Sequence, residues 1–410
     1  MSYLIFFLML PHMNPPSIEY LWPTLDQIIN ILRVASAFLI IMLYIVKRRL
    51  PAKPLWITAL ICFWSLMTTC INQGNVRLCV LTNGSILVIA LIVDFFSWYP
   101  YALVKGLMAC FECAIYVNFV SIVFYYPGGM YGTAYYFLGN RNGFILYVLP
   151  LLLLSLLYHR MTGKIMRAYT ASVVGVLSIL VVWSATSVLS LLTFAIVLFL
   201  CKVLKKQVTF YKIFYATMAA NILVVQVRLM DKIAWIANFI EASLSRTLTL
   251  TGRTFIWDGA YAMIAKSPLI GYGVGVRIDG LIIDGRTVPH AHNFWLQCLL
   301  EGGIIGLVLF LSLNLAIGKR LSKYPGECNI YCTSVLAALY VMFIAEAQAV
   351  KIFYIIFQIV YYANRFNLLV NSNLKNQQIR QSGYPFTSAS PTPPTATTKR
   401  CQREPAKSGD

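Results

Sequence analysis

Within Pro289-His290-Ala291-His292-Asn293, two of the chain's four histidines stand one residue apart, where a long polar stretch gives way to an apolar one. Imidazole titrates nearest neutral pH, so such a pair can ligate a metal, serve as a structural hydrogen-bond partner, or take a proton from an attacking hydroxyl. A metal needs three or four ligands at recognisable spacing. None accompanies His290 and His292, and the arginines upstream repel a cation. Those arginines, Arg246, Arg253, Arg277 and Arg286, favour the third reading. A guanidinium stays charged and grips phosphate oxygens through two parallel N–H bonds. Its charge also favours a neutral imidazole, the form a base needs. The competing reading pairs them with Asp258, Asp279 and Asp284, surface contacts worth little.

The elements that must position these residues belong in a membrane. Of 410 residues 59% are hydrophobic and only 11% charged, less than half the ~25% charge of soluble domains. Runs of ~20 apolar residues, enough to span a bilayer, recur along the chain. None alternates with the period of two that marks an outer-membrane barrel. Met1 to Leu10 is apolar but lacks the basic start of a cleaved signal. The net charge of +19 is not a nucleic-acid signature, because it sits in short clusters between apolar runs and in the tail. The ten cysteines lie mostly in apolar runs (Cys62, Cys110, Cys113, Cys298) and read as small core residues.

Apolar spans are expected at 25–46, 55–71, 77–97, 104–125, 143–157, 168–184, 186–201, 208–228, 294–317, 330–349 and 352–370, an all-α polytopic protein of about eleven helices. With that count, Lys47-Arg48-Arg49, Arg160-Lys164-Arg167, Lys202-Lys205-Lys206 and Lys319-Arg320-Lys323 share one side, which the positive-inside rule makes cytoplasmic. The organisation is therefore transmembrane helices in 1–229, an extracytoplasmic loop at 230–292, helices in 293–370, and a Ser/Thr/Pro/Lys-rich disordered tail at 371–410 inside. The Gly/Tyr-rich stretch 126–142 reads as folded against the bundle. In the long loop, Ile233, Ile236, Ala237, Ile240 and Leu244 give 231–244 the spacing of an amphipathic interfacial helix. Thr254 to Ser267 reads as a second helix, capped by Thr254 and stopped at Ser267-Pro268. Gly271-Tyr272-Gly273-Val274-Gly275 has the look of a phosphate loop, yet no strand precedes it and no Lys-Ser/Thr follows, so a turn against the membrane competes.

Taken together, these residues resemble the O-antigen ligase and polysaccharide polymerase family of bacterial membrane enzymes. His292-Asn293, nine residues, then Gly303-Ile304-Ile305-Gly306 is similar to that family's His-Asn-x9-Gly-x-x-Gly motif. Arg246-Thr-Leu-Thr-Leu250 is similar to its Arg-x3-Leu motif. Gly252-Arg253-Thr254 to Trp257, Pro268 to Gly273, and Asn142 heading the span with Pro150 also resemble the family. The resemblance implies glycan transfer from undecaprenyl pyrophosphate to an acceptor hydroxyl on the outer face of the bacterial inner membrane, without metal, nucleotide or other cofactor. It implies His292 as base, Arg246 and Arg253 on the pyrophosphate, and Arg277, Arg286, His290, Asn293, Asn142 and Arg141 around the substrates. The implied partners are the lipid-linked oligosaccharide, membrane lipid, a chain-length regulator and a flippase, with no nucleic acid.

Charges inside apolar runs support a rival reading. Arg33, Asp94, Glu112, Glu301, Glu346 and Lys351 suit a transporter or flippase with a proton path; for Asp94 and Lys351, snorkelling at a helix end competes. No internal repeat of the transporter kind is present, and the richest polar chemistry lies outside the spans. An enzyme is therefore expected, polymerase before ligase.

Overall fold

The computed structural model describes residues 1–130, 135–203, 208–228, 251–278, 282–283, 286–347 and 352–381. The chain is an all-α polytopic membrane protein. Among the described residues, nine helices are long and apolar enough to cross a bilayer. Two short helices, α1 (Ser2–Met9) and α2 (Pro16–Leu21), precede α3 (Pro23–Lys47), α4 (Lys53–Ile71), α5 (Val76–Phe96) and α6 (Pro100–Tyr125). After them come α7 (Ile145–Thr162), α8 (Ile165–Val182), α9 (Ala185–Lys202), α10 (Phe210–Asn221), α11 (Thr251–Lys266), α12 (Phe294–Lys323) and α13 (Glu327–Ala345). The last are α14 (Tyr354–Tyr361) and α15 (Ala363–Gln381).

Burial sorts the helices by environment. On α3, Ile31, Val34, Phe38 and Ile45 are all exposed, an apolar stripe that only lipid covers favourably. On α7, Leu149, Leu151, Leu153 and Leu154 are fully buried, so this helix, apolar all round, fills the bundle centre. Short connections make sequence neighbours antiparallel. Helix ends therefore form two sets. One carries the basic clusters around Lys47, Arg160, Lys202 and Arg320; the other carries the ends of α4, α6, α8 and α13 and the start of α12.

Two expected spans are not single long helices. The 208–228 run is α10 followed by a π-turn at Ile222–Gln226. The 352–370 run is α14 and α15, broken at Tyr362. Hydropathy reports burial from water, not the path of the backbone, so a broken helix scores like a straight one. The helix that includes Asn371 runs on to Gln381, later than the expected start of the tail; 382–410 lie outside the described residues, as do 231–244. The described parts of 126–142, residues 126–130 and 135–142, do fold onto the bundle. Its strands β1 (Tyr135–Tyr136) and β2 (Gly139–Asn140) pair antiparallel. Leu138 N–H donates to Asn118 Oδ1 at 3.0 Å, and Ser17 Oγ donates to the Phe137 carbonyl at 2.5 Å.

The charges within spans are held locally. Asp94 does not snorkel: it is buried, and the Tyr44 and Tyr362 hydroxyls and the Ala52 N–H, the last at 3.2 Å, donate to its carboxylate. Glu112 takes the Arg167 guanidinium in a two-point pair, Nε at 2.9 Å and Nη2 at 2.5 Å. Arg33 donates to Asn30 Oδ1 at 2.7 Å and to the Pro11 carbonyl at 3.0 Å. Lys351 lies outside the described residues. Cys110 and Cys113 have the Cys-x-x-Cys spacing, but on α6 the first is buried, the second exposed, and both are free thiols.

Candidate functional site

The site begins with a break in α12. Gly303 has φ 61 and ψ −163 in mid-helix, a conformation that suits glycine alone. In an unbroken helix the Ile304 and Ile305 amides would donate to Leu300 and Glu301. Here they donate to Pro268 and Leu269, at 2.8 and 3.4 Å, while Tyr272 and Gly273 donate to Leu300 and Glu301, at 2.7 and 2.9 Å. The 268–273 segment is thus inserted into the helix break and partners the Ile304 and Ile305 amides and the Leu300 and Glu301 carbonyls. The close fit explains the glycines. A Cβ at Gly303 would sit 2.2 Å from the Leu269 carbonyl oxygen, and one at Gly273 would sit 2.5 Å from Thr69 Cα. The Gly271–Gly275 run is therefore a docking turn against α4 and α12, not a phosphate cradle.

Directly before α12, Asn293 caps the helix. Its Oδ1 accepts from the Leu296 amide at 3.0 Å, and its Nδ2 donates to Asn221 Oδ1 at 2.6 Å and the Ile344 carbonyl at 3.0 Å. Both amide hydrogens are engaged and the residue is fully buried. Its neighbour His292 has φ 48, a left-handed conformation uncommon outside glycine and concentrated at functional sites. Around it, the Ala291 amide donates to Gln297 Oε1 at 2.9 Å, and Gln297 Nε2 donates to Glu301 at 3.0 Å. Glu301 thus serves the turn that presents His292. The His292 amide donates to His290 Nδ1 at 3.3 Å, and the two rings lie 4.1 Å apart.

Facing His292 is Glu346, one residue past the end of α13 and 1% exposed. His292 Nδ1 stands 3.5 Å from its Oε2, at the long limit of a hydrogen bond. Arg253 Nη2 reaches Oε1 at 3.2 Å and Asn142 Nδ2 donates to the same oxygen at 2.9 Å. Burial pushes the Glu346 carboxyl up, but the His292 contact, then the charges of Arg253 and His290, outweigh it and hold the group below the ordinary carboxylate range. It is therefore an anion at neutral pH. Asn142 is fixed in turn by Ser184 Oγ, which donates to its Oδ1 at 2.9 Å. Arg253 is aimed by α11, whose Ile256, Trp257, Ala260 and Met263 join Leu296 and Leu300 of α12 and Ala291 in one apolar cluster. Helix α11 starts at Thr251, so Thr254 is interior and not its cap, whereas the stop at Ser267-Pro268 falls where expected.

Residues far apart in sequence, Asn142, Arg253, His292 and Glu346, thus meet at one end of the bundle. Arg141 lies beside them, its Nη1 directed at the Val182 carbonyl, 3.4 Å away at the end of α8. Arg277 is exposed. Arg246 lies outside the described residues, and for Arg286 only its place in the two-residue strand Arg286–Thr287 is described. Asp258 pairs with Arg228, and Asp279 and Asp284 lie outside the described residues. Among the described residues no three His, Cys, Asp or Glu side chains are grouped to hold a metal. Sequence reasoning missed Glu346 as a site residue. Read alone it was a costly charge in an apolar run. The residue pattern held one usable signal: a glutamate at the predicted outer end of a span, on the same side as the histidines.

A buried anion beside an imidazole and a guanidinium, at one end of a multi-pass helical membrane protein, defines a class: a polytopic membrane protein with a polar site of the kind that carries proton transfer. Residues 129–311 match the O-antigen ligase family. Two curated relatives match shorter stretches. The exopolysaccharide production protein ExoQ of Rhizobium meliloti is 30% identical over 83 residues, 18% of this chain and 19% of that one. A candidate polysaccharide ligase of Rickettsia conorii is 34% identical over 98 residues, 21% of this chain and 24% of that one. The chain thus spans less than a quarter of either relative's length.

Proposed function

We propose that the chain is a glycosyltransferase that polymerises a surface polysaccharide (O-antigen, capsule or exopolysaccharide). The donor is a glycan on undecaprenyl pyrophosphate, and the acceptor is a hydroxyl of a second lipid-linked repeat unit. The observation that carries the reading is the convergence of His292, Glu346, Arg253 and Asn142 at the bundle end opposite the basic clusters. By the positive-inside rule that end is extracytoplasmic, and the protein sits in the bacterial inner membrane with its tail inside.

The chemistry follows from the geometry. Glu346 faces Nδ1 of His292, which leaves Nε2 to take the acceptor's proton. The deprotonated oxygen attacks the anomeric carbon, the new C–O bond forms, and the bond to the pyrophosphate oxygen breaks with its electron pair. Glu346 stabilises the imidazolium so created, and guanidinium charge stabilises the departing pyrophosphate. Arg253 is one such charge, since a guanidinium has five donors and can hold a carboxylate and a phosphate together; Arg246 is the second. No metal or nucleotide is required, because a sugar pyrophosphate already carries a good leaving group. The relative named for exopolysaccharide production supports the polymerase reading. The family description and the second relative's name support a ligase, which shares this chemistry and differs in its acceptor. Separate His292→Ala and Arg246→Ala variants, at normal protein levels, are expected to leave single repeat units in place of long chains. Unchanged polymer in both would refute the mechanism.

A further inference from the structure

A cavity of about 720 Å³ opens beside the site. Its size falls in the ~300–1,000 Å³ range of small-molecule pockets. It lies under the amino-terminal segment, between the turn at Met13–Pro16, the first turns of α3 and α5, and Pro289–His290. His290 is therefore shared: one of its faces lines the cavity, and its ring lies 4.1 Å from that of His292. Elsewhere on the lining Asp26 anchors a polar array. Asn14 Nδ2 donates to Asp26 Oδ1 at 2.7 Å and Asn30 Nδ2 to Oδ2 at 2.9 Å, while Arg33 Nη1 donates to Asn30 Oδ1 at 2.7 Å. Asn14 Oδ1 and His12 Nδ1 are buried on this lining without a hydrogen-bond partner, a costly state that calls for a ligand or water.

We propose that this cavity holds the acceptor glycan, read by the Asp26–Asn30–Asn14 array. The inference rests on the glycosyltransferase reading and adds where its acceptor binds and what recognises it. Three features select a sugar. A carboxylate flanked by amides and a guanidinium offers acceptors and donors in alternation, which matches hydroxyls that both give and accept. Glu19 and Asp26 offset Arg33 and Arg77 on the lining, so the wall carries no net charge from these groups and suits a neutral ligand. Pro16, Leu138, Ile89 and Tyr147 supply apolar surface for the C–H faces of the rings. The array also lies before residue 129, outside the part of the chain that matches the family. His292, Arg253 and Asn142 lie inside the matched part, whereas the array and Glu346 lie outside it.

The test uses purified protein in liposomes, a lipid-linked donor, and a lipid-free oligosaccharide of the repeat unit that serves only as acceptor. Asp26→Asn is expected to raise the acceptor KM about tenfold and leave the donor KM unchanged. Ser85→Trp, which fills the cavity from the α5 side without touching the array, is expected to give the same selective defect, so a misfolded Asp26→Asn protein does not leave the idea untested. Unaltered acceptor KM in the folded variants, or a rise in donor KM instead, overturns the assignment. His292→Ala separates the two layers: transfer that survives it refutes the underlying chemistry, whereas its loss, with acceptor KM intact in the cavity variants, refutes only the pocket.

Discussion

Replacing Glu346 by glutamine keeps the side chain's size and removes its charge. The carboxylate stands 3.5 Å from His292 Nδ1, so its attraction for an imidazolium is about 5 kcal/mol at an effective dielectric of ~20. Glutamine keeps a dipole there, and Asn142 and Arg253 can still donate to its carbonyl oxygen. Losing about half the attraction raises the barrier by ~2–3 kcal/mol, roughly 30- to 150-fold in rate. A second effect adds to it. With its carbonyl toward Asn142 and Arg253, the glutamine NH2 faces Nδ1, makes that nitrogen the acceptor, and puts the ring proton on Nε2, where it blocks base action. We therefore expect at least a hundredfold loss of turnover in Glu346→Gln at wild-type protein levels. The assay is elongation of defined lipid-linked units by purified protein. Because Glu346 acts through His292, the variant should cost nothing further in a His292→Ala background. Turnover within threefold of wild type in the single variant would refute this reasoning.

Further predictions test the scaffold. Gly303→Ala combines a left-handed backbone, costing ~1–2 kcal/mol, with a clash that displaces a segment held by four backbone hydrogen bonds worth ~1 kcal/mol each. Thermal unfolding in detergent should register more than ~3 kcal/mol, whereas Gly306→Ala, whose Cβ would meet Trp64 at an ordinary 3.6 Å, should cost under ~1 kcal/mol. Burial and the Arg33 charge lower the pKa of His12 from 6.5 to about 3, so the folded state favours the neutral ring. The stability this lends is complete above pH 6.5 and is lost as pH falls toward 3, up to ~5 kcal/mol in total. Protection factors in the Leu10–Pro16 turn, exchange rates corrected for the intrinsic rate at each pH, should therefore fall between pH 6.5 and 4, and constant protection would contradict the burial of His12. Glu112→Gln breaks a two-point ion pair on a largely buried carboxylate, so it should lower the unfolding temperature, with ~3 kcal/mol as the upper range.

What the sequence made legible was local. His292-Asn293 and Gly303 stand within one short stretch, and their types carry their roles: a titratable ring, a cap, a residue free to adopt positive φ. Arg253 was legible because a permanent charge on the expected outer side of a membrane protein is scarce. Glu346 was not, because its meaning depends on a partner fifty-four residues away, and an isolated glutamate in an apolar run looks the same whether it serves a site or an ion path. The glycines at 271 and 273 fitted two readings, of which the turn was favoured, for a related reason. A run that lets backbone approach phosphate also lets it approach another backbone, and only the gap at Gly303 decides between them. The same holds for Tyr362, where hydropathy carries straight through a broken helix.

The central claim is that His292 drives glycan transfer between lipid-linked units at the outer face. It is tested most directly by supplying purified protein in liposomes with defined undecaprenyl-pyrophosphate-linked repeat units and no metal or nucleotide. The expected result is stepwise lengthening of the glycan with release of undecaprenyl pyrophosphate, abolished in His292→Ala. Units that cross the bilayer without being joined, or chains that lengthen equally in His292→Ala, would contradict it.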